Sequence, residues 1–226
     1  MNGAAMFIES KLCRIGIMGG TFDPIHYGHL VTAEVVRGEF DLDLVLFVPS
    51  GIPPHKDPRL VSSKEHRYLM TVFATLTNPY FEVSRVDIDR EGETYTIDTL
   101  RDLRKLYGNE AELYFITGAD AIAEITGWKN AEQLLDLAEF VAATRPGYQF
   151  DRRILDWFDQ HGKQLHTLQV PAMAISSTDI RRRVQARKSI RYFVPEAVEH
   201  YIYKNGLYSQ DHTQSTAGEG EDSRCR

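Results

Sequence analysis

Short apolar runs alternate with helical patterns along most of this chain, and that alternation constrains the fold more than any other feature. Arg14–Met18 (RIGIM), Leu44–Val48 (LVLFV), Leu113–Thr117 (LYFIT), Phe140–Ala143 and Leu165–Val170 are brief and mostly apolar, as strands buried on both faces must be. Tyr80–Asp87 reads as a further strand. Between these runs, Leu30–Phe40 is helical. A helix capped by Ser63 runs to about Leu76, with Leu69, Met70, Phe73 and Leu76 at helical spacing. Thr96–Tyr107 carries Ile97, Leu100, Leu103 and Leu106 on one stripe and stops at Gly108-Asn109. Ala131–Leu137 and Arg152–Phe158 follow, and Thr178–Ala186 and Pro195–Lys204 close the pattern. The expectation is an α/β fold over residues 14–208: a Rossmann-like, doubly wound, mostly parallel sheet with a small C-terminal helical part. Ligands of such sheets bind beyond the carboxyl ends of the strands, near the point where strand order reverses. The residues that follow strands therefore matter most.

Composition narrows the partners. A net charge of −6 and a pI near 5.8 argue against a nucleic-acid binder, which is usually basic, but allow a local cluster that takes a small anion. Cys13 and Cys225 lie at opposite ends of the 226 residues, a pattern that suits a reducing, cytoplasmic location. No apolar run reaches membrane-span length, and the first 13 residues lack the charged and apolar regions of a signal peptide. They read as an N-terminal extension, and residues 209–226 as a disordered tail. A homo-oligomer is compatible with all of this.

After the first strand comes Gly19-Gly20-Thr21-Phe22-Asp23-Pro24-Ile25-His26-Tyr27-Gly28-His29. Gly19 and Gly20 let backbone N–H groups approach an anion. Asp23-Pro24 makes a turn. His26 and His29, three apart at a helix entry, can share one face beside its positive end. The sequence is a phosphate cradle with two imidazole donors, unless it is a glycine turn beside two ordinary histidines. Two histidines without a Cys, Asp or Glu triad do not complete a metal site, so no metal ligands are assigned.

Near the other end, Ser176-Ser177-Thr178 opens a helix and Arg181 lies one turn in. Hydroxyls at a helix N-terminus can hold phosphate oxygens, and the guanidinium can pair with a polyphosphate. An ordinary N-cap followed by a solvated arginine run fits the same residues. Ile52–Pro58 reads as a rigid extended loop, because adjacent prolines fix its backbone. Its Lys56 neutralises a phosphate or is simply solvated. Asp120, just after a central strand, accepts from a ribose, caps a helix, or does both. Trp128 on local evidence is a half-buried core aromatic.

These segments resemble the bacterial nicotinate-nucleotide adenylyltransferase family of the nucleotidyltransferase superfamily. The first matches its GGTFDPIHxGH signature, and Ile175–Arg181 matches ISSTxIR. Pro53–Lys56 matches PPHK, Glu93–Leu100 is similar to SYTxxTL, and Gly118–Asp120 is similar to GAD. Arg145–Tyr148 (RPGY) and Tyr192–Pro195 also match and read as structural. The resemblance spans roughly Arg14 to Tyr208. It implies adenylyl transfer from ATP to nicotinic acid mononucleotide, with pyrophosphate leaving and Mg²⁺ carried mainly by the ATP phosphates. His26 and His29 would hold the α-phosphate, and Ser177, Thr178 and Arg181 the β- and γ-phosphates. Gly19, Gly20, Thr21, Phe22, Asp120 and Ser176 complete the ATP set. Lys56, Thr94, Tyr95, Thr96, Trp128 and Lys129 would meet the mononucleotide, with Trp128 stacked on its pyridine ring. Lys129 stands where an aromatic is common in the family. The alternatives are the same transfer to nicotinamide mononucleotide or phosphopantetheine, and a non-catalytic nucleotide-binding regulator. The HxGH of tRNA synthetases comes with a KMSKS loop and an anticodon domain that this sequence lacks.

Overall fold

A computed structural model describes residues 13–171 and 173–209. Apart from Cys13 and Ser209 at their borders, the expected N-terminal extension and disordered tail lie outside the described residues. Six strands form one wholly parallel sheet in the order β3-β2-β1-β4-β5-β6. They are β1 (Arg14–Gly20), β2 (Leu44–Pro49), β3 (Phe81–Val83), β4 (Glu112–Gly118), β5 (Glu139–Thr144) and β6 (Leu165–Gln169). Strand order reverses between β1 and β4, which opens a crevice beyond their carboxyl ends.

Alternate residues of each strand feed the two faces. Ile15, Ile17, Phe115 and Phe140 pack against α3 (Thr96–Tyr107), α5 (Ala131–Leu134) and α6 (Arg152–Gln160). Met18, Val45, Phe47, Ile116 and Val141 pack on the other face. They meet α1 (Tyr27–Glu39), α2 (Lys64–Thr75), α7 (Ser177–Gln185) and α8 (Glu196–Lys204). The short α4 (Ala119–Ile122) follows β4. Through Ile180, Val184, Val198 and Ile202, the C-terminal helices share this second core.

Local chemistry accounts for most boundaries. The Ser63 hydroxyl accepts from His66 N–H at 3.3 Å and starts α2. Gly108, at φ +78°, ends α3 in a conformation that costs glycine little.

Three expectations need correction. The third strand is only Phe81–Val83 although β2 runs on to Pro49: Ser84 N–H bonds Phe47 O, and the Val86 N–H turns onto the Ser84 hydroxyl at 3.2 Å instead of onto β2. The chain then turns, with Asp89 N–H bonded to Arg85 O. Residues 131–137 begin as α5 but stop being helical after Leu134, where a turn closes from Leu137 N–H to Leu134 O. Pro53–Lys56 is a turn closed by Lys56 N–H on Pro53 O at 3.3 Å rather than an extended loop. Pro54 takes the second position of that turn, where its fixed φ fits. On α2, Leu69 and Leu76 are exposed, Leu76 at 75%, while the buried side holds Arg67, Met70, Thr71, Ala74 and Thr75. Periodicity found the helix but not its inner face, because that face is partly polar.

Candidate active site

Both signature segments meet at the crevice. His26 is the N-cap of α1, and His29 lies one turn in. The His26 backbone N–H donates to His29 Nδ1 at 3.2 Å. An accepting Nδ1 places the ring proton on Nε2, so His29 presents a neutral Nε2–H donor. The two imidazoles stack with centroids 3.8 Å apart, and Phe22 meets His29 edge-on. A Cβ on Gly28 would sit 3.0 Å from His26 Nδ1, so glycine leaves room for that ring. Phe22 itself has φ +49°, an uncommon backbone for a non-glycine residue.

Burial keeps both rings neutral. It lowers the His26 pKa to about 4. It also takes His29 well below its ordinary value, because a second charge beside His26 would be repelled as well as buried. An imidazole that resists protonation when folded binds fewer protons than the unfolded chain, so acid favours unfolding. Stability should therefore fall as pH drops from about 6.5 toward 4, with His26 contributing about 3 kcal/mol over that window. Urea midpoints between pH 7 and pH 4 should show the slope, and His26→Gln should flatten it. An unchanged slope in that variant would remove His26 as the cause.

The C-terminal motif is fastened to the N-terminal one. Arg181 Nη1 donates to Asp23 O at 2.7 Å, and Ser177 Oγ donates to Pro24 O at 2.8 Å. Ser176 caps α7 by accepting from Asp179 N–H, and Arg181 Nη2 donates to Thr178 Oγ1 at 3.3 Å. Lys56 reaches the same place. Burial lowers its pKa, and nearby Arg181 lowers it further, while Asp23 opposes the shift. Asp23 is buried, with Oδ1 taking the Tyr208 hydroxyl at 2.7 Å and Oδ2 taking Ser62 N–H at 3.2 Å. One carboxylate thus sits among three cations, Lys56, Arg67 and Arg181, an excess of positive charge next to the imidazoles.

A cleft of about 470 Å³ lies beside the imidazoles at the sheet's reversal point, and Lys56, Ser177, Thr178 and Arg181 are outside its lining. Its lining includes Gly19, His26, His29 and Ser176, together with Thr117, Gly118 and Arg145 from the ends of β4 and β5 and Met173–Ile175 ahead of α7. Gly20 and Thr21 follow at the end of β1. Asp120 is exposed at the rim and pairs with Arg145 at 3.4 Å. Gly118, not Asp120, caps α4.

The residues expected at the mononucleotide lie outside that lining. Thr94 is buried, with N–H and hydroxyl both bonded to Ile52 O. Tyr95 precedes α3 and bonds Glu93, and Thr96 begins the helix. Lys129 Nζ lies 4.1 Å over the Tyr95 ring and 3.2 Å from Asp98. Trp128 is half-buried and meets Phe115 edge-on at 6.0 Å. The far rim of Phe115 in turn lies under Gly19, where a Cβ would be 3.3 Å away. Trp128 is thus one ring removed from the cradle.

Sequence reasoning missed Arg67, Arg145 and Tyr208. Arg145 was findable, since it directly follows β5. Arg67 and Tyr208 carry no local signal. Among the described residues, no group of three or more His, Cys, Asp or Glu is arranged to hold a metal ion, and no helix is long and apolar enough to cross a membrane.

A parallel sheet in this order, with neutral donors and excess cations at its reversal point, defines an α/β nucleotide-binding protein that takes a polyphosphate. Residues 17–183 match the Cytidylyltransferase-like family model. A protein from Moorella thermoacetica named "Probable nicotinate-nucleotide adenylyltransferase" is 59% identical over 206 residues, 90% of this chain and 95% of its own length. One of the same name from Thermoanaerobacter sp. is 58% identical over 201 residues, 88% and 95% of the two chains. In fold, the chain is similar to Plasmodium falciparum nicotinic acid mononucleotide adenylyltransferase complexed with NaAD, at TM-score 0.73 and 22% identity over 87% of this chain and 97% of that one. The chain belongs to the nicotinate-nucleotide adenylyltransferases of the Cytidylyltransferase-like family.

Proposed function

We propose that the protein transfers the adenylyl group of ATP to nicotinic acid mononucleotide, giving nicotinic acid adenine dinucleotide and pyrophosphate in NAD biosynthesis. The observation that carries this reading is the pair of bonds from Arg181 and Ser177 to the backbone of Asp23-Pro24. They fasten the helix start of one motif to the loop that leads into the other, which supports a single triphosphate meeting both.

The mononucleotide's 5′-phosphate oxygen attacks the α-phosphorus, and the bond from that phosphorus to the bridging oxygen breaks. The attacking group is already an anion at neutral pH, which suits a site whose histidines are neutral and serve as donors rather than bases. His29 Nε2–H and His26 stabilise charge on the α-phosphate and bridging oxygen. Arg181 and Thr178 hold the departing pyrophosphate, and Lys56 meets the phosphate of the incoming mononucleotide. Ser177 has its hydroxyl proton on Pro24 O, and so contributes as the first residue of α7, through its backbone N–H. Mg²⁺, when bound, neutralises phosphate charge from the triphosphate itself. The donor set fits an ion held that way, because both Asp23 oxygens are engaged and cations surround them. A cytoplasmic location accompanies this reading.

The test is turnover with ATP, Mg²⁺ and each of three acceptors, reading pyrophosphate. Nicotinic acid mononucleotide should be used best. Preference for nicotinamide mononucleotide or phosphopantetheine, or no pyrophosphate at all, overturns the reading. Trp128→Ala should raise KM for the mononucleotide about 2- to 12-fold with little change in kcat, the scale of about 0.5–1.5 kcal/mol for aromatic stacking. An unaltered KM would leave Trp128 as a core aromatic only.

A further inference from the structure

Arg67 is 1% exposed, and among the described residues its guanidinium donates only to neutral backbone oxygens. Nε bonds Ser62 O at 3.0 Å, Nη1 bonds Thr21 O at 2.8 Å, and Nη2 bonds Gly51 O at 2.6 Å. Those three carbonyls belong to the approach to α2, the loop after β1 and the loop after β2. Burying a cation this way costs far more than burying an apolar side chain of similar size. Burial pulls the Arg67 pKa down, and nearby Asp23 resists the shift.

The geometry points to Arg67 as a positioning residue for the transfer, an inference that rests on the function proposed above. It fixes the donor loop and the acceptor loop to each other. A peptide plane holds its C=O and the next N–H in opposite directions. With Thr21 O turned onto Arg67, Phe22 N–H faces the other way, and the uncommon φ of Phe22 is held in place. With Gly51 O turned onto it, the start of the Ile52–Lys56 segment is fixed as well. Ser50 N–H on Gly20 O, at 2.9 Å, ties the same two loops. The cradle at Gly19–Thr21 and the charge of Lys56 are thereby set at one spacing. An in-line displacement needs that spacing kept to a fraction of an ångström. A planar fork reaches three separate carbonyls from three nitrogens, and the single nitrogen of a shorter lysine does not. The hydroxyls of Thr71 and Thr75, bonded back to the carbonyls of Arg67 and Thr71, continue this polar inner side of α2.

The test compares Arg67→Lys and Arg67→Met with Leu103→Ala, a cavity variant in the core on the opposite face. Both Arg67 variants should lose about 10- to 100-fold in kcat with KM for ATP within threefold. Leu103→Ala should lose stability in urea yet keep kcat within threefold. Amide exchange at Ser50 and Thr94, whose N–H groups are held on Gly20 O and Ile52 O, normalised to Ile17 in β1, should be at least about tenfold faster in Arg67→Lys. If Arg67→Met does not fold, Arg67→Lys carries the test. Unchanged exchange at both amides overturns the inference whatever the turnover. Normal kcat in the Arg67 variants overturns it too and leaves the proposed function intact, whereas no turnover by the wild type overturns the function instead.

Discussion

His29→Ala should lower kcat by about 10²–10³, or about 3–4 kcal/mol of transition-state stabilisation, the scale of losing one pre-aligned donor. The argument starts from its tautomer. His29 Nδ1 is occupied by His26 N–H, so the Nε2–H is what remains for the α-phosphate. Two amide variants separate the two nitrogens. His29→Asn keeps an oxygen near the position of Nδ1 and can accept from His26 N–H, but offers nothing at Nε2. His29→Gln extends an N–H to about where Nε2 stood. Asn should therefore match Ala in kcat, and Gln should recover about tenfold or more. Steady-state kinetics decide the matter: kcat for Ala within threefold of wild type would end the proposed role, and equal losses for Asn and Gln would end the tautomer argument. Because His29 lines the cleft, water can reach the freed His26 N–H, so the variant should fold.

Arg181→Ala should lower kcat/KM for ATP by about 10²–10³, through two losses that act together. The Asp23 carbonyl loses its donor, which loosens the fastening between the two motifs, and one of the three cations around Asp23 disappears. Arg181→Lys keeps the charge, but one ammonium cannot bond Asp23 O and Thr178 Oγ1 from two separate nitrogens as the guanidinium does. It should fall between, about tenfold below wild type. The Lys56 ammonium, freed of Arg181, should titrate at higher pH, because part of its lowering comes from that neighbour. Lysine titration by NMR reads this shift independently of turnover. A kcat/KM for ATP within threefold of wild type in Arg181→Ala would remove Arg181 from the triphosphate.

Strand patterns gave the sheet, and the chain's own chemistry gave most of its helix ends. Ser63 and Gly108 act on groups within four residues, so a linear reading captures them. The third strand came out too long because Tyr80–Asp87 stays suitable for a strand past Ser84, where the Val86 N–H turns onto the Ser84 hydroxyl and leaves β2. The spacing of Leu69, Met70, Phe73 and Leu76 identified a helix but not which of its sides faces the sheet. That side was set by a buried arginine whose three partners lie 5, 46 and 16 residues away.

The order of residues alone determined an alternating α/β chain with two anion-seeking segments, because glycine freedom, imidazole donors and helix starts are properties of a few consecutive residues. Their meeting was decided only in three dimensions. Arg181 and Asp23 are 158 positions apart, and Tyr208 closes on Asp23 from 185 positions away. No local preference encodes such contacts. They exist because α7 and α8 bury Ile180 and Val198 in the same core that carries β1, and burial brings the polar groups beside them into one electropositive cluster.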